Sequence, residues 1–226
     1  MKHTLLSATL IASAALAAPA FAEDWYVQGF LGYSYADDAT FAGNIGGNPN
    51  TVATDFDEDL NLGISVGRGF GSIGNGASLR GEIELSYRSN DIDAVDFSGN
   101  GAGAEANPGG DISSTFLMAN AIVDFETNSK FTPYVGGGIG VGFIDQNVVY
   151  GANNNVTIRG DDEAFTAQLI AGTSYALNDT TSLFGDVRYA RSFDVTGTRT
   201  APNGTTASVS DDISNTSVNF GVRFKF

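Results

Sequence analysis

Cysteine is missing from the 226-residue chain, histidine occurs once, and 26 acidic residues outnumber 11 basic ones. Without cysteine an exported chain has no disulfide framework, so burial and pairing alone must hold its fold. The lone histidine is His3, at the extreme N-terminus. Acid–base work elsewhere would fall to carboxylates, because imidazole is the side chain that titrates near neutral pH unaided. The acidic excess disfavours nucleic acid and anionic surfaces as partners. After residue 22 no apolar run approaches the roughly 18–20 residues of a helical membrane span. If this chain crosses a membrane, it must cross with strands.

The first 22 residues, MKHTLLSATLIASAALAAPAFA, set the compartment. Lys2 supplies the basic start, an apolar run follows from Leu5 to Ala18, and Ala20 and Ala22 supply a small-x-small cleavage site. That pattern predicts a cleaved signal peptide over 1–22, with a mature chain beginning at Glu23. No cysteine follows the apolar run, which excludes a lipid-anchored form. Removing the segment takes Lys2 and His3 with it, leaving ten basic against 26 acidic residues, a formal charge of −16. The remaining 204 residues suit a single domain, predicted over 23–226.

What is present is alternation. The chain ends SVNFGVRFKF, where Val218, Phe220, Val222, Phe224 and Phe226 alternate with Asn219, Gly221, Arg223 and Lys225. Period two is the mark of a strand with unlike faces. Seven earlier segments share it: Trp25–Tyr35, Leu60–Phe70, Ser78–Arg88, Ser114–Glu126, Phe131–Phe143, Phe165–Leu177 and Ser182–Phe193. Each has about the 9–11 residues that a tilted strand needs to span a bilayer. Their connections alternate in length. GSIGNGA, TNSK and NDTT are tight turns, whereas 36–59, 89–113, 144–164 and 194–214 are long and polar. A soluble sandwich has no reason for that alternation. An up-and-down barrel does, with short turns on the periplasmic side and long loops outside. The fold class predicted is all-β, a membrane-spanning eight-stranded antiparallel barrel with its apolar face toward lipid.

The signal peptide, the eight segments and the terminal NFGVRFKF together resemble small eight-stranded outer-membrane barrels of Gram-negative bacteria, the OmpA-like transmembrane domain and the opacity-type surface proteins. The resemblance covers nearly the whole mature chain and is one of pattern. It implies an outer-membrane location and a terminal signal, Phe220, Val222, Phe224 and Phe226, read by the barrel-assembly machinery. It also implies lipid and lipopolysaccharide as surroundings and a monomeric state. Enzymes of such membranes depend on histidine, so this chain is expected not to be one. The chain stops at the barrel, and the peptidoglycan-binding domain of many OmpA-like proteins is not expected.

Two short motifs fail on context. GFGSIG (Gly69–Gly74) has dinucleotide-fingerprint spacing but leads into a turn and a strand, with no helix to hold a pyrophosphate. Asp55, Asp57 and Asp59 begin like a calcium loop, but Leu60 stands where glycine is needed and Val66 where glutamate is needed. No cofactor is expected, and the loop carboxylates form a solvated face or a weak divalent-ion bridge to lipopolysaccharide phosphates. The polar strand faces are more informative. Arg80, Glu82, Glu84, Asp124, Asp186, Arg188 and Arg223 fall on them, and charges at membrane depth persist when paired or hydrated. Inward glycines at 136, 138, 140 and 142 leave room for long side chains. A charge network filling the lumen is therefore expected, with Arg80 and Glu84 among its members. The function expected is structural support of the envelope and contact with host-surface or envelope partners through four acidic loops. The alternative is a narrow porin or conduit for small solutes.

Overall fold

The computed structural model describes residues 24–36, 39–45, 48–56, 59–98, 103–104, 108–151 and 156–226. The proposed cleavage residues Ala20, Ala22 and Glu23 lie outside them, as do Asp37, Asp38 and Asp57. Eleven strands are described: β1 (Trp25–Ala36), β2 (Ala39–Ile45), β3 (Asn48–Phe56), β4 (Asp59–Gly74), β5 (Ala77–Ser98), β6 (Gly103–Ala104), β7 (Gly109–Phe125), β8 (Phe131–Tyr150), β9 (Val156–Ala176), β10 (Thr181–Thr200) and β11 (Thr206–Lys225). All belong to one antiparallel sheet.

Eight of them close a ring. Starting from β1 the order is β4, β5, β7, β8, β9, β10 and β11, and β11 returns to β1 with Val27 opposite Phe224 and Leu31 opposite Phe220. These are the eight strands the sequence predicts, in meander order. Closure leaves no unpaired edge, which a lipid environment demands of a spanning sheet. The outward positions carry Leu31 (65 % exposed), Ile139 (59 %) and Phe220 (67 %), with Leu85, Leu117, Leu169 and Val187 beside them. Such exposure has a physical reason only if the surroundings are themselves apolar. Aromatic side chains collect at both margins, with Trp25, Phe125, Phe131 and Phe224 at the short-turn end and Tyr33, Tyr87, Phe143 and Tyr189 at the other.

The long connections differ from expectation. Where they are described they are largely strand: β5 runs for 22 residues and β9 for 21, about twice what a bilayer span requires. The strands simply continue outward past the membrane. Where β1 and β4 end, β2 and β3 form a hairpin of their own, with Phe41 opposite Val52. β3 then pairs with β5, and β2 meets β11 at Ala42–Ser210, so the wall is continued upward. The reason lies in a reversal of faces. Beyond the membrane the inward positions become apolar: Ile92, Ile112, Ile144, Val148, Tyr150, Ile158, Val195, Val209 and Ile213 form one buried cluster with Val52. The outward positions there carry Asp91, Asp93, Asp145, Asp161 and Glu163. The upper part is thus built like a soluble barrel, and its apolar interior holds the strands together through burial.

Lower down the interior is polar, and small residues make the room. In β8, a Cβ at Gly138 would overlap the Asn120 amide, and one at Gly140 would overlap the Leu117 carbonyl. Bulges adjust the upper wall. β10 carries one extra residue relative to β11 between Ser192 and Val195, with Asp194 at φ 55°. The insertion keeps both Ser192 and Val195 facing inward.

Candidate functional site

The inward charges fall into two clusters stacked along the barrel axis. Nearer the short turns, Arg80 donates from Nε to both Asp124 oxygens at 2.8 and 3.1 Å, and from Nη1 to Glu82 and to the Tyr26 hydroxyl. The Tyr26 hydroxyl donates in turn to Glu82 at 2.7 Å. Gln28 Nε2 donates to the second Glu82 oxygen at 3.1 Å, while its carbonyl accepts from Arg223 Nε at 2.9 Å. Glu82 thus takes donors from its own strand and from β1 beyond β4, while Asp124 is held by Arg80.

The second cluster centres on Arg188. Its Nε and Nη2 grip Asp186 as a fork at 3.0 Å each, and Nη1 reaches Glu84 across the lumen. Asp186 also accepts from Tyr134 and Asn219, both at 3.0 Å. Glu84 accepts from Asn120 at 2.9 Å and from Ser86 at 3.1 Å. The Arg188 guanidinium lies 4.2 Å from the Phe30 ring centroid, a desolvated cation–π contact. Forked guanidinium–carboxylate bonds such as that to Asp186 are the strong ones, and both Glu84 and Asp186 have neutral donors as well.

All seven predicted lumen residues face inward, and the register supplies the partners that the sequence left open. Glu84 answers Arg188, not Arg80, and Arg80 answers Glu82 and Asp124. Tyr134 links the clusters, with its hydroxyl on Asp186 and its ring 4.9 Å from the Arg80 guanidinium. Arg223 has no ion pair among the described residues. Arg88 is a further buried cation, held by Asn215 at 2.8 Å and lying 4.8 Å from the Phe116 ring. It brings the spanning part to four arginines against four carboxylates. Tyr26, Gln28 and Tyr134 were also not singled out as site residues from the sequence. Their alternation with outward Val27, Gly29 and Val135 was the available signal. Above Arg88, Ser34, Asn90 and Asn215 form a neutral polar layer, and over it lies the apolar cluster.

At the chain end, Phe220, Phe224 and Phe226 point outward and exposed, and the Phe226 amide donates to the Trp25 carbonyl at 3.1 Å. Val222 shares their face, opposite Gly29 and Leu183.

The outer extension has its own charged ties. Asp162 accepts from the Thr196 amide at 2.7 Å and its hydroxyl at 3.0 Å, where the β9–β10 ladder is interrupted. Asp212 accepts from the Asp194 amide at 2.9 Å and from Arg191 at 2.7 Å. The Thr196 amide holds the Asp162 carboxyl below its ordinary range, and the Asp194 amide followed by Arg191 does so for Asp212. A depressed folded value means these ties are complete above about pH 4 and are lost as the pH falls further through the folded value. Amide exchange around 193–197 and 211–213, corrected for intrinsic rate, is therefore expected to rise as the pH falls below about 4. Amides of the spanning region should stay protected; a uniform response across both regions would show that these carboxylates are not local ties.

Solved structures share the architecture. The chain is similar to OprG from Pseudomonas aeruginosa, with 18 % identity and TM-score 0.60 over 91 % of this chain and 97 % of that one. It is similar to Neisserial surface protein A, with 18 % identity and TM-score 0.53 over 89 % and 97 %. The outer membrane protease OmpT from Escherichia coli matches with 9 % identity and TM-score 0.58 over 91 % and 98 %. At such identities the likeness is one of fold. A comparison with curated proteins finds no match. What the closed ring and its lipid-facing belt imply, the family profile states directly: over residues 5–226 this chain belongs to the family described as “Outer membrane protein beta-barrel domain”, a protein of the Gram-negative outer membrane.

Proposed function

We propose that this barrel serves as a closed structural element of the outer membrane that presents an acidic outer surface to envelope or host partners. The observation that carries the reading is a double closure: an ion network fills the spanning part and an apolar core fills the extension above it. The outer wall supports the second half of the reading. A cleft of about 310 Å³ there is lined by Asp145, Asp161, Asp162 and Glu163 with Ser113, Thr115, Phe143 and Ile144. A catalytic role is not part of this proposal, since the chain's one histidine is His3. The protein acts as a monomer beside lipopolysaccharide, after insertion by the barrel-assembly machinery.

Planar-bilayer recording separates this reading from its rival, a narrow pore or conduit. The parent barrel is expected to show no steady conductance. Glu84→Ala should produce intermittent openings, because Arg188 and Asn120 lose an acceptor and water enters to replace it. Steady channel-like current from the parent, unchanged in Glu84→Ala, would put the pore first.

A further inference from the structure

The lower cluster leaves two guanidinium nitrogens unanswered. Arg80 Nη2 and Arg223 Nη2 are buried and have no hydrogen-bond partner among the described residues. Their side chains belong to residues only 4 % and 5 % exposed. Arg80 is otherwise well supplied, through Asp124, Glu82 and Tyr26. Arg223 is not: its Nε donates to neutral Gln28, and the rings of Tyr26, Phe184 and Tyr134 lie around its guanidinium at 5.1, 5.6 and 5.9 Å. Arginine stays charged in proteins, so it cannot relieve burial by shedding a proton. A buried cation without an anion is the costly half of an ion pair.

Both nitrogens belong to residues lining a cavity of about 230 Å³ at the short-turn end, beside Tyr26, Ser78, Asp124 and Lys225. The charged side chains of the lining are Arg80, Arg223 and Lys225 against Asp24 and Asp124, an excess of one positive charge. Asp124 is already gripped by Arg80 Nε, and Asp24 is exposed at the rim. Arg223 and Lys225, two residues apart on β11, share the inward side of the strand.

We propose that this cavity is an oxyanion site facing the periplasm, which takes a phosphate-sized group between Arg80 and Arg223, with Lys225 at its entrance. Guanidinium donors match phosphate oxygens in geometry and charge. Two sources offer that chemistry: a soluble phosphate of the periplasm, and the headgroup of a phospholipid bent over the rim. The site is independent of what the outer surface binds.

The test is a titration of inorganic phosphate into the folded full barrel, held in a phosphate-free maltoside detergent at ionic strength fixed with chloride. Phosphorus NMR is expected to show saturable line broadening, accompanied by a rise in the thermal unfolding midpoint. Arg223→Gln should weaken the apparent affinity by about tenfold or more, as loss of a charge-assisted hydrogen bond does. Lys225→Gln, at the exposed entrance, should weaken it less and leave the fold intact, so it decides the matter if Arg223→Gln assembles poorly. Nanodiscs identify the source. A phosphate response that persists in phosphatidylglycerol assigns a soluble ligand, and one displaced by that lipid in an Arg223-dependent way assigns the headgroup. A parent barrel without a saturable response, or one that both substitutions leave unchanged, overturns the site.

Discussion

Arg188→Ala is expected to lower the stability of the folded barrel by about 3–5 kcal/mol, the range for removing one partner of a buried ion pair. The guanidinium is enclosed and answers two carboxylates at once, Glu84 and Asp186. Without it both remain buried with only neutral donors around them, and the Phe30 ring loses the cation stacked on it. Urea unfolding of lipid-reconstituted protein, followed through the single tryptophan Trp25, gives the measurement. The double variant Glu84→Ala/Arg188→Ala should cost clearly less than the sum of its parts, because the second change removes a charge the first had stranded. Arg80 and Glu84 belong to different clusters, so Arg80→Ala/Glu84→Ala should come much nearer to additivity. A loss within the error of a surface substitution for Arg188→Ala would mean that water, and not burial, surrounds the cluster.

Removing Phe220–Phe226 is expected to abolish the barrel altogether. The deletion takes β11 away from both neighbours over its membrane half, from Leu31–Phe220 to Tyr26–Lys225 on one side and from Gly185–Phe220 to Thr181–Phe224 on the other. Two strands would then present unpaired amides and carbonyls to hydrocarbon, a state that spanning sheets avoid. The resemblance to assembly-signal tails points the same way. Outer-membrane fractions should lose the heat-modifiable band, with precursor or fragments in its place. Deleting Phe226 alone removes one backbone hydrogen bond, donated to the Trp25 carbonyl, and one lipid-facing ring, so a partial loss is expected. Normal amounts of heat-modifiable protein after the longer deletion would mean that β11 is not needed to close the ring.

The ring was legible because lipid imposes a simple rule on sequence, apolar out and polar in, at a period that strands alone produce. Strands such as β8 carry it plainly, with Val135, Ile139 and Val141 set against four glycines. The outer extension was harder to see for a physical reason. Segments such as 144–164 are rich in Asn, Asp and Gly, and polarity of that kind suggests loops. Yet Ile144, Val148, Tyr150, Val156 and Ile158 stand at even positions within it, and all five are buried. The period survives while the faces exchange roles, so average polarity conceals what alternation keeps. The inward charges were legible by the same parity, but not their partners. Register decides whether Arg188 meets Glu84 or another carboxylate, and register depends on turn geometry and bulges across strands far apart in the chain. Arg88 shows the limit from the other side: it lies on the same face as Arg80, but its partner Asn215 sits between the polar connection 194–214 and the alternating tail that begins at Ser217.

The exchange of faces along continuous strands also acts as a waterline. On β9, Leu169 and Phe165 are followed outward on the same side by Glu163 and Asp161; on β8, Val141 and Phe143 are followed by Asp145. Sinking the molecule by two residues, about 5 Å of depth for a tilted strand, would draw these carboxylates into hydrocarbon, and raising it would lift leucine and phenylalanine into water. Both displacements are opposed on the same strands, so the sequence gives the barrel a fixed draught. It would keep its depth in bilayers of different thickness by making the nearby lipid stretch or thin to meet it.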